Sequence, residues 1–287
     1  MSWSYDSPAS LHDLIYRIST EIDSGIAVSN KKLIEYCREY CGFDSATDSH
    51  FYHEVAEAAL NLLILRKYGH KLLGSKEVVE SVSSYLRPLQ KRLPTQTWRS
   101  ETQITYQQFS TPAPIAFLAA YLLNIGPNDC VLEPSCGTGS LAVWAKAAGA
   151  SVVTNEIDPR RRDLARCIGF DPTAYDAEFI DDLLPEFVVP NVVLMNPPFS
   201  STGGRMKNNQ SKFGFRHVQS ALRRLADGGR FAVILGEAGS PSSLSGKRFW
   251  DSISPDIEVT RSISLSGREY YRNGTTVGVT LMFGHKS

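Results

Sequence analysis

The chain has 287 residues, enough for one large core or two smaller ones. Thirty Lys and Arg balance thirty Asp and Glu, so net charge is zero; this counts against a general polyanion binder but allows a local basic face. No apolar run reaches membrane-spanning length, Met1 to Ser10 is polar without a signal-peptide core, and the five cysteines (Cys37, Cys41, Cys130, Cys136, Cys167) are odd in number and scattered, so the expectation is a cytoplasmic protein with reduced thiols and no membrane partner.

Up to about Leu93 the pattern is helical. Leu11, Leu14, Ile15 and Ile18 recur at helical spacing. Ser29 is placed to cap a second helix, Leu33 to Tyr40, that stops at Gly42. Thr47, Asp48 and Ser49 precede a long run from Val55 to Tyr68, closed by Gly69. Ser75 caps a fourth helix expected to end before Pro88. The one candidate cluster is Cys37-x3-Cys41 followed by His50-x2-His53. Its spacing is loosely metal-like, but two cysteines on one helix face are more often small apolar residues, and no metal is assigned. Nothing else in residues 1–98 points to a chemistry. The polar stretch Pro94 to Gln108 holds the expected boundary between a helical N-terminal module (1–98) and a second domain (99–287).

From Phe109 strands alternate with helices, the mark of a parallel sheet with crossover helices. A helix is expected from Pro114 to Leu123, then a strand from Cys130 to Glu133. A tight turn, Pro134 to Gly139, opens a helix through Leu141, Trp144 and Ala148. Val152 to Thr154 is the second strand. A helix starting at Arg160-Arg161-Arg162, read as a solvated helix start, runs to Cys167. A weak third strand is expected near Thr173 to Asp176, and a fourth ends at Asn196. A helix near Val218 to Leu225 carries Arg223 and Arg224 on an exposed face and leads into the strand Phe231 to Leu235. Two late strands, Ile257 to Ser264 and Thr276 to Phe283, flank Asn273-Gly274, a dipeptide expected to turn a hairpin. There are no internal repeats, and Ser240 to Ser245 is the only compositional bias.

Glu133-x3-Gly137-x-Gly139 sits between a strand and a helix. The glycines let a ligand approach the backbone, and the helix N-terminus offers free N–H groups. Glu156, at the end of the next strand, is placed to accept from a ribose diol. Both a nicotinamide dinucleotide and S-adenosylmethionine fit this frame. Glu133 favours the second, because an acid there suits a cationic methionine group and repels a pyrophosphate. So does the late antiparallel strand.

The apolar run Val192 to Met195 ends in Asn196-Pro197-Pro198-Phe199. Neither proline can donate to a ladder, so the strand stops. The turn offers an amide, a freed carbonyl and an aromatic face, a set that suits a planar ring bearing an NH2 group. It lies on the carboxyl edge of the sheet, where ligands bind.

From Phe109 to about Lys286 the chain resembles the class I S-adenosylmethionine-dependent methyltransferases that modify the exocyclic amine of adenine. Phe109-Ser110-Thr111-Pro112 is similar to the family's cofactor-gripping segment. Val131 to Gly139 is similar to its glycine motif, Asn155-Glu156-Ile157-Asp158 to its ribose motif and Asn196-Pro197-Pro198-Phe199 to its catalytic motif. Asp176-Ala177 resembles the segment that meets the cofactor's adenine, with Asp181 and Asp182 as competitors. Methylase domains of large phage, plasmid and strawberry-notch-type helicase proteins are the nearest likeness. The resemblance implies a Rossmann-like α/β fold: a mostly parallel seven-stranded sheet with a late antiparallel strand, preceded by a small helical domain.

It implies S-adenosyl-L-methionine held by Thr111, Pro112, Glu133, Pro134, Ser135, Gly137, Gly139, Glu156, Ile157, Asp176, Ala177 and Asn196. Asn196, Pro197, Pro198 and Phe199 would form the catalytic turn, with no metal. The Asn196 oxygen and Pro197 carbonyl would hold the amine's protons, Phe199 would stack the base, and a duplex target would be flipped out. Adenine in DNA is the first expectation for the substrate. RNA is the second, a protein glutamine the third, and a non-catalytic nucleic-acid module the fourth. The large recognition region usual in sequence-specific members does not follow Gly284. Specificity is therefore expected from the helical module, the glycine-rich basic loop Ser200 to His217, or a partner protein.

Overall fold

The computed structural model describes residues 8–42, 49–96, 109–198 and 213–287. Helices α1 (Pro8–Asp23), α2 (Asn30–Cys41) and α3 (Ser49–Leu63) come first. Ser29 caps α2 by accepting from the Lys32 N–H, and Gly42 ends it at φ 65°, a conformation that glycine adopts without a side-chain clash. α3 does not stop at Gly69. It passes through a π turn (Ile64–Tyr68) into α4 (Gly69–Leu73). Gly69 is a packing glycine: a Cβ there would lie 2.5 Å from the Ala147 Cβ. Nor does the next helix end before Pro88. α5 (Val78–Glu80) runs through a π turn (Ser81–Leu86) into α6 (Arg87–Lys91), and Pro88 sits just after the π turn, where the regular ladder is already interrupted.

α7 (Ala113–Leu122) leads to the sheet. Its strands are β1 (Cys130–Glu133), β2 (Ser151–Thr154), β3 (Val192–Met195), β4 (Arg230–Gly236), β5 (Ile257–Leu265) and β6 (Val279–Lys286). Helices α8 (Ala142–Ala147), α9 (Pro159–Cys167), α10 (Ile180–Leu183), α11 (Phe213–Arg224) and α12 (Leu244–Ile253) are interleaved with them. The strand order is β2-β1-β3-β4-β6-β5. β2, β1, β3 and β4 are parallel, and β6 runs antiparallel to both β4 and β5. Among the described residues the sheet has six strands, not seven. The strand expected near Thr173 is a single bridge, Asn155 to Thr173. Asn155 holds that segment with its side chain instead: Nδ2 donates to the Tyr175 carbonyl (3.0 Å), and Oδ1 accepts from the Tyr175 N–H (2.8 Å).

Asn273-Gly274 does not turn a two-residue hairpin. It closes a 3-10 helix (Gly267–Asn273), with Gly274 at φ 82°. The intervening chain is used for contact with the N-terminal helices, through Arg87 to Glu269 (2.8 Å) and Gln90 to Asn273 (3.2 Å).

β3 is buried at all four positions, as its unbroken apolar run requires. Each such side chain contributes roughly 1.5–3 kcal/mol on burial. One face of the sheet packs on α10, α11 and α12. The other shares one continuous apolar core with α7, α8 and α9 and with the N-terminal helices. The boundary expected at 98/99 lies outside the described residues. No helix among the described residues is long and apolar enough to cross a membrane.

Candidate functional site

The carboxyl ends of the parallel strands meet on one edge. β1 delivers Glu133, β2 delivers Asn155 and Glu156, and β3 delivers Asn196. Leu132 pairs with Val193, so Glu133 and Asn196 leave the same edge on neighbouring strands.

Glu133 is 2 % exposed, and its Oε2 has no hydrogen-bond partner. Burial pushes its carboxyl well above the usual range; a backbone N–H from Ala142 opposes this and nearby Glu156 adds to it. The glycine turn then bends back. Gly137 stands at φ 55° and Gly139 at φ 87°, backbone states open to glycine. The Gly137 N–H donates to Glu156 Oε2 (2.7 Å), and the Asp158 N–H donates to Oε1 (2.8 Å). Asn155 Nδ2 donates to the Pro134 carbonyl at 2.9 Å, and Ser135 is half-buried between them in sequence. Ile157 is 58 % exposed beside this loop.

Asp176 follows Tyr175, which Asn155 holds, and caps a short 3-10 helix by accepting from the Glu178 N–H; Ala177 beside it is buried. Asp181 is tied elsewhere: its carboxylate accepts from Ser220 and pairs with Arg223 (3.3 Å). Asp182 is exposed.

Asn196 Nδ2 donates to Thr111 Oγ1 (2.9 Å) and to the Phe109 carbonyl (3.3 Å). These two acceptors fix which way the amide faces. Its Oδ1 is buried and has no hydrogen-bond partner. Pro112 carries its carbonyl into the start of α7, where the Ile115 and Ala116 N–H groups donate to it. Pro197 is buried and Pro198 half-buried; Phe199 and loop residues 200–212 lie outside the described residues.

Two sequence readings change near the site: one is overturned, and one that the sequence leaves open gains contacts. Arg160 and Arg161 are not a solvated helix start; both are buried against Glu54 of α3. Arg161 Nε donates to Glu54 Oε1 (3.1 Å), and Arg160 Nε lies 2.9 Å from Oε2 as an ion pair rather than an aligned hydrogen bond. Burial works against the Arg161 charge, and Glu54, Glu156 and Glu57 more than offset it. Arg162 alone reaches outward, donating to the Glu156 carbonyl (2.8 Å). Arg224 is the lesser exception: it donates to the carbonyl of Pro185 (2.7 Å), while Arg223 is exposed.

The second concerns residues 1–98, whose types point to no chemistry. Glu54, Glu57 and Asn61 of α3 all reach the site's loops. A signal was present: His53, Glu57 and Asn61 recur every four residues, with Glu54 beside them, in a helix otherwise apolar on every side. The Cys/His cluster dissolves. His53 is hydrogen-bonded to the Pro94 carbonyl (3.0 Å) and faces Glu57 (3.3 Å), while burial pushes the Cys41 thiol up to about 11. The His50 side chain lies outside the described residues. Among the described residues no group of three ligating side chains is placed to hold a metal.

This sheet order, with its one reversed strand, is the Rossmann-like fold of class I S-adenosylmethionine-dependent methyltransferases. A structure of a class I S-adenosylmethionine-dependent methyltransferase from Listeria monocytogenes superposes with a TM-score of 0.54 at 14 % identity, covering 98 % of this chain and 88 % of that one. The EcoKI type I restriction enzyme M protein gives 0.54 at 16 %, covering 96 % and 67 %. The methyltransferase subunit of a type I restriction-modification system from Streptococcus thermophilus gives 0.50 at 18 %, covering 100 % and 67 %. In sequence, the chain is 26 % identical over 159 residues to the type II restriction enzyme and methyltransferase RM.BcgI of Heyndrickxia coagulans; this spans 44 % of the chain but only 23 % of that relative. No family model matches the chain.

Proposed function

We propose that this chain transfers a methyl group from S-adenosyl-L-methionine to the exocyclic amine of adenine in DNA. The observation that carries the reading is the Asn196 amide: its nitrogen is held by Thr111 and Phe109, and its oxygen is buried without a partner. A buried acceptor left unmade costs about 1–3 kcal/mol, which a ligand's N–H offsets. An amine donates one hydrogen to this oxygen and the other to the Pro197 carbonyl. Positive charge building on the nitrogen strengthens both bonds in the transition state. Pro198 stiffens the turn, and Phe199 is assigned to stack the base.

When bound, S-adenosylmethionine supplies an electrophilic methyl carbon. The residues fit such a group. Glu133 presents an unpartnered buried oxygen that suits a cation. Each Glu156 oxygen accepts one backbone N–H and keeps a lone pair for a ribose hydroxyl. Thr111, Pro112, Pro134, Ser135, Gly137 and Gly139 would hold the cofactor's methionine part. Ile157, Asp176 and Ala177 line the adenine side, where Asp176 is favoured because Asp181 is engaged by Ser220 and Arg223.

DNA is favoured because the sequence relative is a restriction enzyme and methyltransferase. In the same reading residues 99–287 carry the transfer chemistry, residues 1–98 form a helical module, and a partner protein supplies target recognition. The test is labelled S-adenosylmethionine offered with DNA, RNA and protein separately, followed by nucleoside mass spectrometry. N6-methyladenine in DNA is expected. Label in RNA or on glutamine moves the substrate, and no label with no cofactor binding overturns the reading.

Glu133 adds a pH signature. Its folded-state pKa is raised, so in the free protein it is neutral above the usual carboxylate range, and its contribution to stability is lost as pH rises through that raised value. A cation beside it favours the charged form. Cofactor binding is therefore expected to release a proton and to tighten as pH rises. Calorimetry in buffers of different ionisation enthalpy reads this, and Glu133→Gln removes it. Equal proton counts in wild type and variant would refute the assignment.

A further inference from the structure

One helix of the N-terminal region touches three segments of the candidate site. Asn61 Nδ2 donates to the Thr138 carbonyl (2.9 Å) and approaches Thr138 Oγ1 and Ser140 Oγ (both 3.3 Å), all in or next to the glycine turn. Glu57, one turn earlier, accepts from Ser110, which precedes Thr111, and from Asn273 Nδ2 (3.0 Å). Glu54, nearly one turn earlier again, takes the guanidiniums of Arg160 and Arg161, which follow the Glu156 loop. Arg161 closes the circuit. It donates to Ser110 Oγ (3.2 Å), and its guanidinium lies 3.3 Å from where a Gly137 Cβ would stand.

We propose that α3 is the positioning element of the cofactor site. Glu54, Glu57 and Asn61 each fix a different loop: the ribose loop, the segment that holds Asn196, and the glycine turn. The inference rests on the cofactor reading above and assigns these three as positioning residues, not catalytic ones.

The chemistry supports more than fold stability. An apolar helix would bury as much surface without desolvating two carboxylates and an amide. What the polar stripe adds is direction. A hydrogen bond constrains a loop's rotation as well as its distance, and a cofactor gripped by several loops binds more tightly when those loops are already in place. The three residues share one rigid helix, so they hold three loops in one frame.

The experiment uses the full chain and measures S-adenosylmethionine and S-adenosylhomocysteine binding by calorimetry, with thermal unfolding alongside. Asn61→Leu keeps the branched heavy-atom shape and removes the donor. Its expected effect is a Kd raised about tenfold or more, a raised cofactor KM, and kcat at saturating cofactor within about twofold. Hydrogen exchange at Gly137 to Ser140 quickens. Val55→Ala, a fully buried apolar position of α3 outside the polar stripe, is the control. It lowers stability but leaves Kd unchanged. Glu57→Gln gives a second reading by the same measurement should Asn61→Leu not fold. Unchanged Kd in the folded polar-stripe variants, or a weakening that Val55→Ala matches for equal loss of stability, overturns the proposal. Wild-type protein that fails to bind either ligand refutes the cofactor reading instead.

Discussion

Asn196→Ala is expected to abolish methyl transfer while leaving cofactor affinity within a few-fold of wild type. The side chain contributes one acceptor at the reacting nitrogen, and losing one such preorganised contact costs about 10²–10³ in kcat. The loss falls on kcat because the contact strengthens as charge develops. Thr111→Val tests the same geometry from behind. It removes the hydroxyl that accepts from Asn196 Nδ2 and leaves, among the described residues, the Phe109 carbonyl as that nitrogen's partner. Single-turnover kinetics with the cofactor in excess separates the steps. An Asn196→Ala protein that turns over at wild-type rate would end the mechanism proposed for the turn.

Glu54→Ala is expected to cost about 3–5 kcal/mol of folding stability, because it strands two buried guanidiniums. Arg160 keeps Asp158 at 3.5 Å, but Arg161 loses the carboxylate its Nε donates to. Burial raises the Glu54 carboxyl, and Arg161 and Arg160 pull it down. Urea denaturation measures the loss. A cost below about 1 kcal/mol would mean that the arginines find water or other partners once the carboxylate is gone.

The parallel sheet and the motif loops were legible because their signals are local. Val192 to Met195 is unbroken and apolar, and prolines stop it; Ser29 and Gly42 bracket a helix in a few residues. Features set by distant partners were not. Arg160 and Arg161 read as a solvated helix start because Glu54 stands 106 residues earlier. Asn273-Gly274 carries a hairpin signature, yet Asn273 is drawn to Glu57 and the dipeptide ends a 3-10 helix. The missing strand at Thr173 is a third case. Two backbone hydrogen bonds and the Asn155 side chain hold the segment, and no period records the side chain's part. The placement of Glu133, the glycines, Glu156 and Asn196 on one edge of the sheet was readable from type and position. The polar stripe of α3 was the fainter signal: His53, Glu57 and Asn61 keep a four-residue spacing, but it carries meaning only once their burial is known.

The pairing of Glu54 with Arg160 and Arg161 also bears on the order of folding. Closing a loop of about a hundred residues costs entropy before any contact rewards it. The local β1-α8-β2 unit closes shorter loops and is the cheaper nucleus. The carboxylate of Glu54 therefore meets its cations late, after the folding transition state. Substitutions there are expected to act on the rate of unfolding and to leave the rate of folding almost untouched. Contacts that hold three loops in register would then be the same ones that set how long the native state lasts.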